Sequence, residues 1–181
     1  GAELGAGTGQ SAGADGGTPA GRIRGKDPIA GDERLTMAAR KKIPDPAYFA
    51  RRLGAFLREH HPLLEKTEEM VRERSRRAWV SAWDALQSGD SVRTALQKAD
   101  SVLYKGLLFS GYDTLRCVLA AEFPEVPESE RHECVVRLLP LCKEAFMRYD
   151  LGDGLLASPE YNHLILDLIE VVRRHIGECL Y

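Results

Sequence analysis

Between Ser158 and Gly177 the chain places Tyr161, Leu164, Ile165, Leu168, Val171, Val172 and Ile176 three or four residues apart. That spacing returns an apolar side chain to one side of an α-helix at every turn, and it cannot line one face of a strand. Ser158 suits the N-cap, Pro159 the first helical position and Gly177 the end. A helix with so long an apolar stripe needs other elements to cover it, so the rest of the chain must supply them.

The same reading upstream predicts five more helices. Asp45 caps and Pro46 opens the first, which carries Phe49, Leu53, Phe56 and Leu57 and stops near His60, before Pro62. The second runs from about Leu63 to Gln87, with Val71, Ala78, Ala82 and Leu86 on one side and the Arg72–Arg77 charge run on the other. Gly89 stops it. Asp90 or Ser91 caps the third, whose stripe is Val92, Ala95, Leu96, Ala99, Val102 and Leu103, ending around Gly106. The fourth spans about Tyr112 to Glu122 and is closed by Pro124. The fifth spans about Glu128 to Tyr149, and Pro140 is expected to kink or break it, because proline removes one backbone bond and crowds the preceding turn. No segment shows sustained period-two alternation. The fold class expected is all-α: a compact array of about six helices around one core, with no sheet. That core should hold Leu53, Phe56, Leu96, Leu103, Leu119, Leu138, Phe146, Leu164 and Leu168. Trp79 and Trp83 share a helix face and are expected at the core or its edge.

The first 36 residues read differently. They hold 10 of the 17 glycines, no aromatic residue and no apolar period. Such a segment cannot bury enough surface to offset its chain entropy. The expectation is a disordered leader over 1–36, a tag, fusion or read-through, and a single helical domain over 37–181. Gly7-Thr8-Gly9-Gln10-Ser11-Ala12 has the spacing of a dinucleotide-binding turn, but no strand precedes it and no helix follows. Gly21-x-x-x-Gly25-Lys26 is one residue short of a P-loop, and Asp27 stands where a hydroxyl belongs.

Net charge is -2, distributed unevenly. From Met37 to Arg77, 11 Lys and Arg face 6 Asp and Glu, a net of +5; from Ala78 to Tyr181, 10 face 16, a net of -6. Arg40, Lys41, Lys42, Arg51 and Arg52 therefore form a candidate phosphate-contacting patch at the start of the body, followed by Arg72, Arg74, Arg76 and Arg77. Glu65, Glu68, Glu69 and Glu73 dilute the second group. Solvated arginines on ordinary helix faces explain the same residues.

Cys117, Cys134, Cys142 and Cys179 form no closely spaced pair, which argues against structural zinc and for free thiols in a reducing, cytoplasmic compartment. No apolar run approaches the roughly 18 to 20 residues that span a membrane. His163, Asp167 and Glu170 fall on one helix face and are the right types for a metal, yet polar faces of this kind are commonplace. His132-x-Cys134 lacks partner spacing, and His60-His61 sits where a helix end favours histidine. The loop Asp150 to Gly154 resembles a calcium loop, but Gly152 and Gly154 occupy the positions that need side-chain oxygens, and Tyr161 stands where a glutamate should. No nucleophile elbow or zinc-protease histidine pair occurs. Neither an enzyme nor a cofactor is expected.

Three stretches carry a resemblance: Gly106-Leu107-Leu108-Phe109-Ser110-Gly111-Tyr112-Asp113-Thr114-Leu115, continuing to Val118-Leu119 and Glu122-Phe123; Ser158-Pro159-Glu160-Tyr161; and Leu57-Arg58-Glu59-His60-His61-Pro62. Together they resemble an uncharacterised all-α family of unknown function carried on conjugative transposons of Bacteroidetes. The resemblance spans roughly Tyr48 to Ile176. It implies a helical fold and a mobile-element setting, and it brings no catalytic residues. Physically these stretches are helix junctions. Phe109, Ser110, Tyr112, Asp113, Ser158, Glu160 and Tyr161 are the candidate interaction surface, should the two junctions adjoin with polar groups exposed. The function expected is a non-enzymatic interaction or accessory protein with an unidentified protein partner. Nucleic-acid binding through the basic first two helices is the alternative.

Overall fold

The computed structural model describes residues 42–65 and 67–180. The expected leader, and Arg40 and Lys41, lie outside the described residues. Among those described there are seven α-helices and no strand. They are α1 (Pro46–His60), α2 (Glu68–Gln87), α3 (Val92–Leu103), α4 (Gly111–Glu122), α5 (Glu128–Leu138), the short α6 (Lys143–Phe146) and α7 (Glu160–His175). Single 3₁₀ turns precede α7 at Leu155–Ala157 and follow it at Ile176–Glu178. No helix among the described residues is long and apolar enough to cross a membrane.

Local chemistry sets the boundaries. The Asp45 carboxylate accepts the Tyr48 N–H at 2.9 Å, with Pro46 at the first position of α1. Ser91 rather than Asp90 caps α3, accepting the Thr94 N–H at 3.1 Å, and Ser110 caps α4. The start of α2 is later than the apolar pattern predicts: Thr67 caps it, and Glu68 and Glu69 fill a first turn that favours negative charge. Leu63 and Leu64 stay outside as exposed turn residues. Pro140 breaks the expected fifth helix. α5 ends at Leu138, a turn follows, and the chain regains only four helical residues in α6. Ser158 bonds the Glu160 N–H at 3.2 Å at the entry to α7.

The buried side chains gather in two clusters rather than one. The first joins α1, α2 and α3 through Phe49, Leu53, Leu57, Leu103 and a seam of small residues, Ala78, Ala82, Ala85, Ala95 and Ala99. With so little side chain between them, α2 and α3 can approach closely along their length. The second cluster joins α4 to α7 through Leu115, Leu119, Leu138, Phe146, Leu164 and Leu168. Phe56 and Leu96, expected in the core, are half-buried at the edge of the first cluster. Trp79 and Trp83 stack there at 6.3 Å, also half-buried.

Candidate functional site

The two halves meet where the end of α1 touches the connector that leads into α4. The Ser110 hydroxyl donates to the His60 carbonyl and accepts the Asp113 N–H at 3.0 Å, while the Thr114 hydroxyl donates to the Ser110 carbonyl at 2.8 Å. His60 Nδ1 lies 2.6 Å from Asp113 Oδ2, so the ring N–H donates to the carboxylate. His61 Nε2 lies 2.7 Å from the Leu107 carbonyl, which fixes the proton on Nε2, because a carbonyl only accepts. From the far side of the connector, Asp153 accepts the N–H groups of Gly106 at 2.7 Å and Leu108 at 3.2 Å. Gly106 has φ +75, a left-handed turn natural to glycine. Two of the three distinctive stretches, residues 57–62 and 106–115, thus interlock.

A histidine oriented by a carboxylate is half of a general-base apparatus. The other half does not form. The hydroxyls of Ser110 and Thr114 at the junction are buried and committed to backbone, and the second ring nitrogen of His60 faces Glu59 at 3.8 Å. The ring itself packs on Phe56, 4.6 Å between centroids. This junction holds the fold together.

The interaction surface expected at Phe109, Ser110, Tyr112, Asp113, Ser158, Glu160 and Tyr161 is corrected in the same way. Phe109, Ser110 and Tyr112 are buried, because the two rings fill the second cluster and Ser110 caps from within. Asp113 is partly exposed but paired with His60. Tyr112 reaches His132 Nδ1 at 2.7 Å, which gives His132 a structural partner. Ser158 and Tyr161 are half-buried and Glu160 is exposed, yet no hydrogen bond or ring contact joins them to the other stretch.

The basic patch also divides. Lys42 and Arg51 are exposed and carry no ion pair among the described residues. Arg52 is not available to phosphate. It forks onto Asp100 at 2.6 and 3.3 Å and lies 5.5 and 5.7 Å from the rings of Tyr48 and Tyr104, tying α1 to α3. On α2, Arg72 pairs with Glu69, and Arg76 and Arg77 share Glu73 at 3.1 and 2.8 Å. The two guanidiniums, Arg76 first, hold the Glu73 carboxyl down at about 2. Arg74 donates to the Leu103 and Lys105 carbonyls at the end of α3.

The remaining chemistry-bearing residues are engaged locally. Asp167 accepts from Tyr149 at 2.8 Å and pairs with Arg148 at 3.4 Å; Glu170 pairs with Arg173 and Arg174. The Asp167 bond raises the Tyr149 phenol above its ordinary value. No three His, Cys, Asp or Glu among the described residues converge to hold a metal. Asp150 bonds the Gly152 N–H at 3.1 Å, which is turn chemistry. All four cysteines are free, and burial pushes the Cys134 thiol up to about 12 and that of Cys142 up to about 11.

What stays open is an apolar surface beside the junction. Phe109, Pro140, Phe146, Met147, Tyr149 and Leu151 line a cavity of about 630 Å³. Met147 on its rim is 74% exposed, and Leu108, next in the chain to Phe109, is 50% exposed. The break at Pro140 borders this opening: Phe146 at the end of the short α6 is buried, and Met147, just beyond it, is exposed on the rim. Sequence reasoning missed it. The signal was present in Leu139-Pro140-Leu141, an apolar run across a helix break.

Comparison with known proteins places this geometry among relatives. The model of a family described as a domain of unknown function, DUF1896, matches residues 42–179. Among solved structures, the crystal structure of protein PG0816 from Porphyromonas gingivalis is similar: 34% identical, TM-score 0.70, covering 78% of this chain and 95% of that one. No curated protein matches.

Proposed function

Because the chain belongs to the DUF1896 family, whose description carries no activity, we propose from its surface that it is a non-enzymatic interaction protein, an accessory of a mobile genetic element that works through a protein partner. The observation that carries this reading is the open apolar cavity rimmed by Met147 and Leu151. Exposed methionine and leucine around a hollow are the chemistry by which a protein receives an apolar side chain. The closed histidine–aspartate pair supports the non-enzymatic part. The mobile-element setting is supported by the resemblance of the Phe109–Leu115 stretch, and a cytoplasmic site by the free thiols.

The test is crosslinking and affinity capture from the native host with wild type and with a Met147→Asp, Leu151→Asp variant. Both sites are exposed, so the variant should keep its helical circular dichroism. Partners captured by wild type and lost by the variant are expected. Identical captures from both would overturn the reading. The setting is checked separately by the DNA that flanks the gene: transfer or integration genes are expected, and plain housekeeping neighbours would refute it.

A further inference from the structure

The sequence shows the Arg72–Arg77 run but not what faces it. In the fold, α2 and α3 border two adjoining hollows of about 520 and 500 Å³ that share Arg77 and Val102. They form one continuous trough. Ala85 of the seam, with Val80 and Val102, gives the apolar part of the lining, and Arg74, Arg76, Arg77, Lys98 and Lys105 border it, Arg74 being bonded to the Leu103 and Lys105 carbonyls. Ser81 adds a hydroxyl donor, the Ser88 and Ser101 hydroxyls donate to the Asp84 and Gln97 carbonyls, and Asp84 is the one acid in the lining. Lys105 has no ion-pair partner among the described residues. Arg76 and Arg77 share a single carboxylate, and Lys98 pairs with Asp90. These are exposed pairs, weak because water screens them, so a polyanion can displace them.

We propose that this trough binds the phosphodiester backbone of single-stranded nucleic acid without regard to base sequence. It is a separate surface from the apolar cavity and stands independently of the partner reading. Three features favour this occupant. The cations line two adjoining hollows along α2 and α3, an extended strip that fits a single strand of regularly spaced phosphates better than a globular acidic partner. Guanidiniums, lysine ammoniums and the Ser81 hydroxyl are phosphate donors. No aromatic ring lines the trough, so bases are not read. The rest of the molecule reinforces the choice. Residues 42–105 carry 12 Lys and Arg against 9 Asp and Glu, whereas 106–180 carry 7 against 13. The second half therefore repels a polyanion and confines it to the first.

The experiment is fluorescence anisotropy of the full chain with a labelled 20-nucleotide oligothymidylate, a duplex of equal length, and polyglutamate as competitor. With about four phosphates engaged, the log–log salt slope for a single strand is about -2.8, so affinity should fall about 300-fold between 25 and 200 mM salt. Lys98→Glu with Lys105→Glu should weaken binding at least tenfold and bring the slope to about -1.5. Lys143→Glu, an exposed cation of the other half, should change neither. No binding at 25 mM salt overturns the proposal. So does equal loss in the Lys143→Glu control, tighter binding of the duplex, or competition by polyglutamate as effective as by unlabelled strand.

Discussion

Removing one buried hydroxyl, that of Ser110, should loosen both halves of the molecule. Ser110 is 5% exposed and makes two kinds of bond. As the N-cap of α4 it accepts the Asp113 N–H, and replacing such a cap by alanine costs about 1 kcal/mol. As a donor it satisfies the part-buried carbonyl of His60 at the end of α1, and leaving that acceptor unpaired costs about 1 kcal/mol more. Ser110→Ala should therefore lose about 2 kcal/mol. With a urea slope near 2 kcal/mol per molar, the midpoint should fall by about 1 M. Ser110→Gly separates the contributions. Glycine keeps most of the capping preference, so its loss should be nearer 1 kcal/mol. The molecule carries its own two-probe assay. Both tryptophans lie in α2, so their fluorescence reports the first cluster, while circular dichroism at 222 nm reports every helix. The two transitions should coincide in wild type. A Ser110→Ala loss under about 0.5 kcal/mol, or equal losses for alanine and glycine, would refute the account of the junction.

Three further outcomes follow from the same structure. Leu168→Ala, fully buried on α7, should cost about 3 kcal/mol in urea unfolding, and Leu166→Ala, 64% exposed two residues earlier, less than about 0.5. Alkylation at pH 8 followed by mass spectrometry should label exposed Cys117 in the folded protein and spare Cys134 and Cys142, whose buried thiols titrate near 12 and 11. Glu73 is held below its ordinary carboxyl range, so the unfolded chain binds the extra proton; its contribution is present above about 4.5 and is lost as pH falls towards about 2. Melting temperatures of Glu73→Gln should accordingly depend less steeply on pH across that window than those of wild type.

Helix identity was legible because caps and periods are local. Asp45, Ser91 and Ser110 each bond a main-chain group three residues on, and Pro140 breaks a helix by what it lacks. The start of α2 was misread because Leu63 and Leu64 fit the apolar period, whereas Thr67 with two glutamates decides the boundary. The division into two clusters was not legible. A period says which face of a helix is buried, not which helix covers it. The same limit hid the candidate sites. Arg52 looks like any surface cation until Asp100, 48 residues away, takes it. Phe109 and Tyr112 look like a display surface until the second cluster closes over them. Asp153 reads as a turn residue, and nothing near it in the chain announces that it will hold the main chain at Gly106 and Leu108.

The stretches that look most distinctive therefore carry out assembly, and the surfaces left for partners are made of residues with no distinctive pattern. This follows from the division of the core. Each half buries its own apolar faces, so what fixes one half against the other is a small polar joint, built from His60, His61, Ser110, Asp113 and Asp153 around one connector. Side chains in such a joint must have particular donors and acceptors at particular places, which restricts their identity as tightly as catalysis would. The apolar cavity and the cationic trough need only methionine and leucine on a broken helix, or lysine and arginine above a seam of alanines. The cavity belongs to the second half and the trough to the first. The joint therefore sets the angle between the two surfaces, and a joint variant should disturb simultaneous occupancy of both while leaving each alone nearly intact.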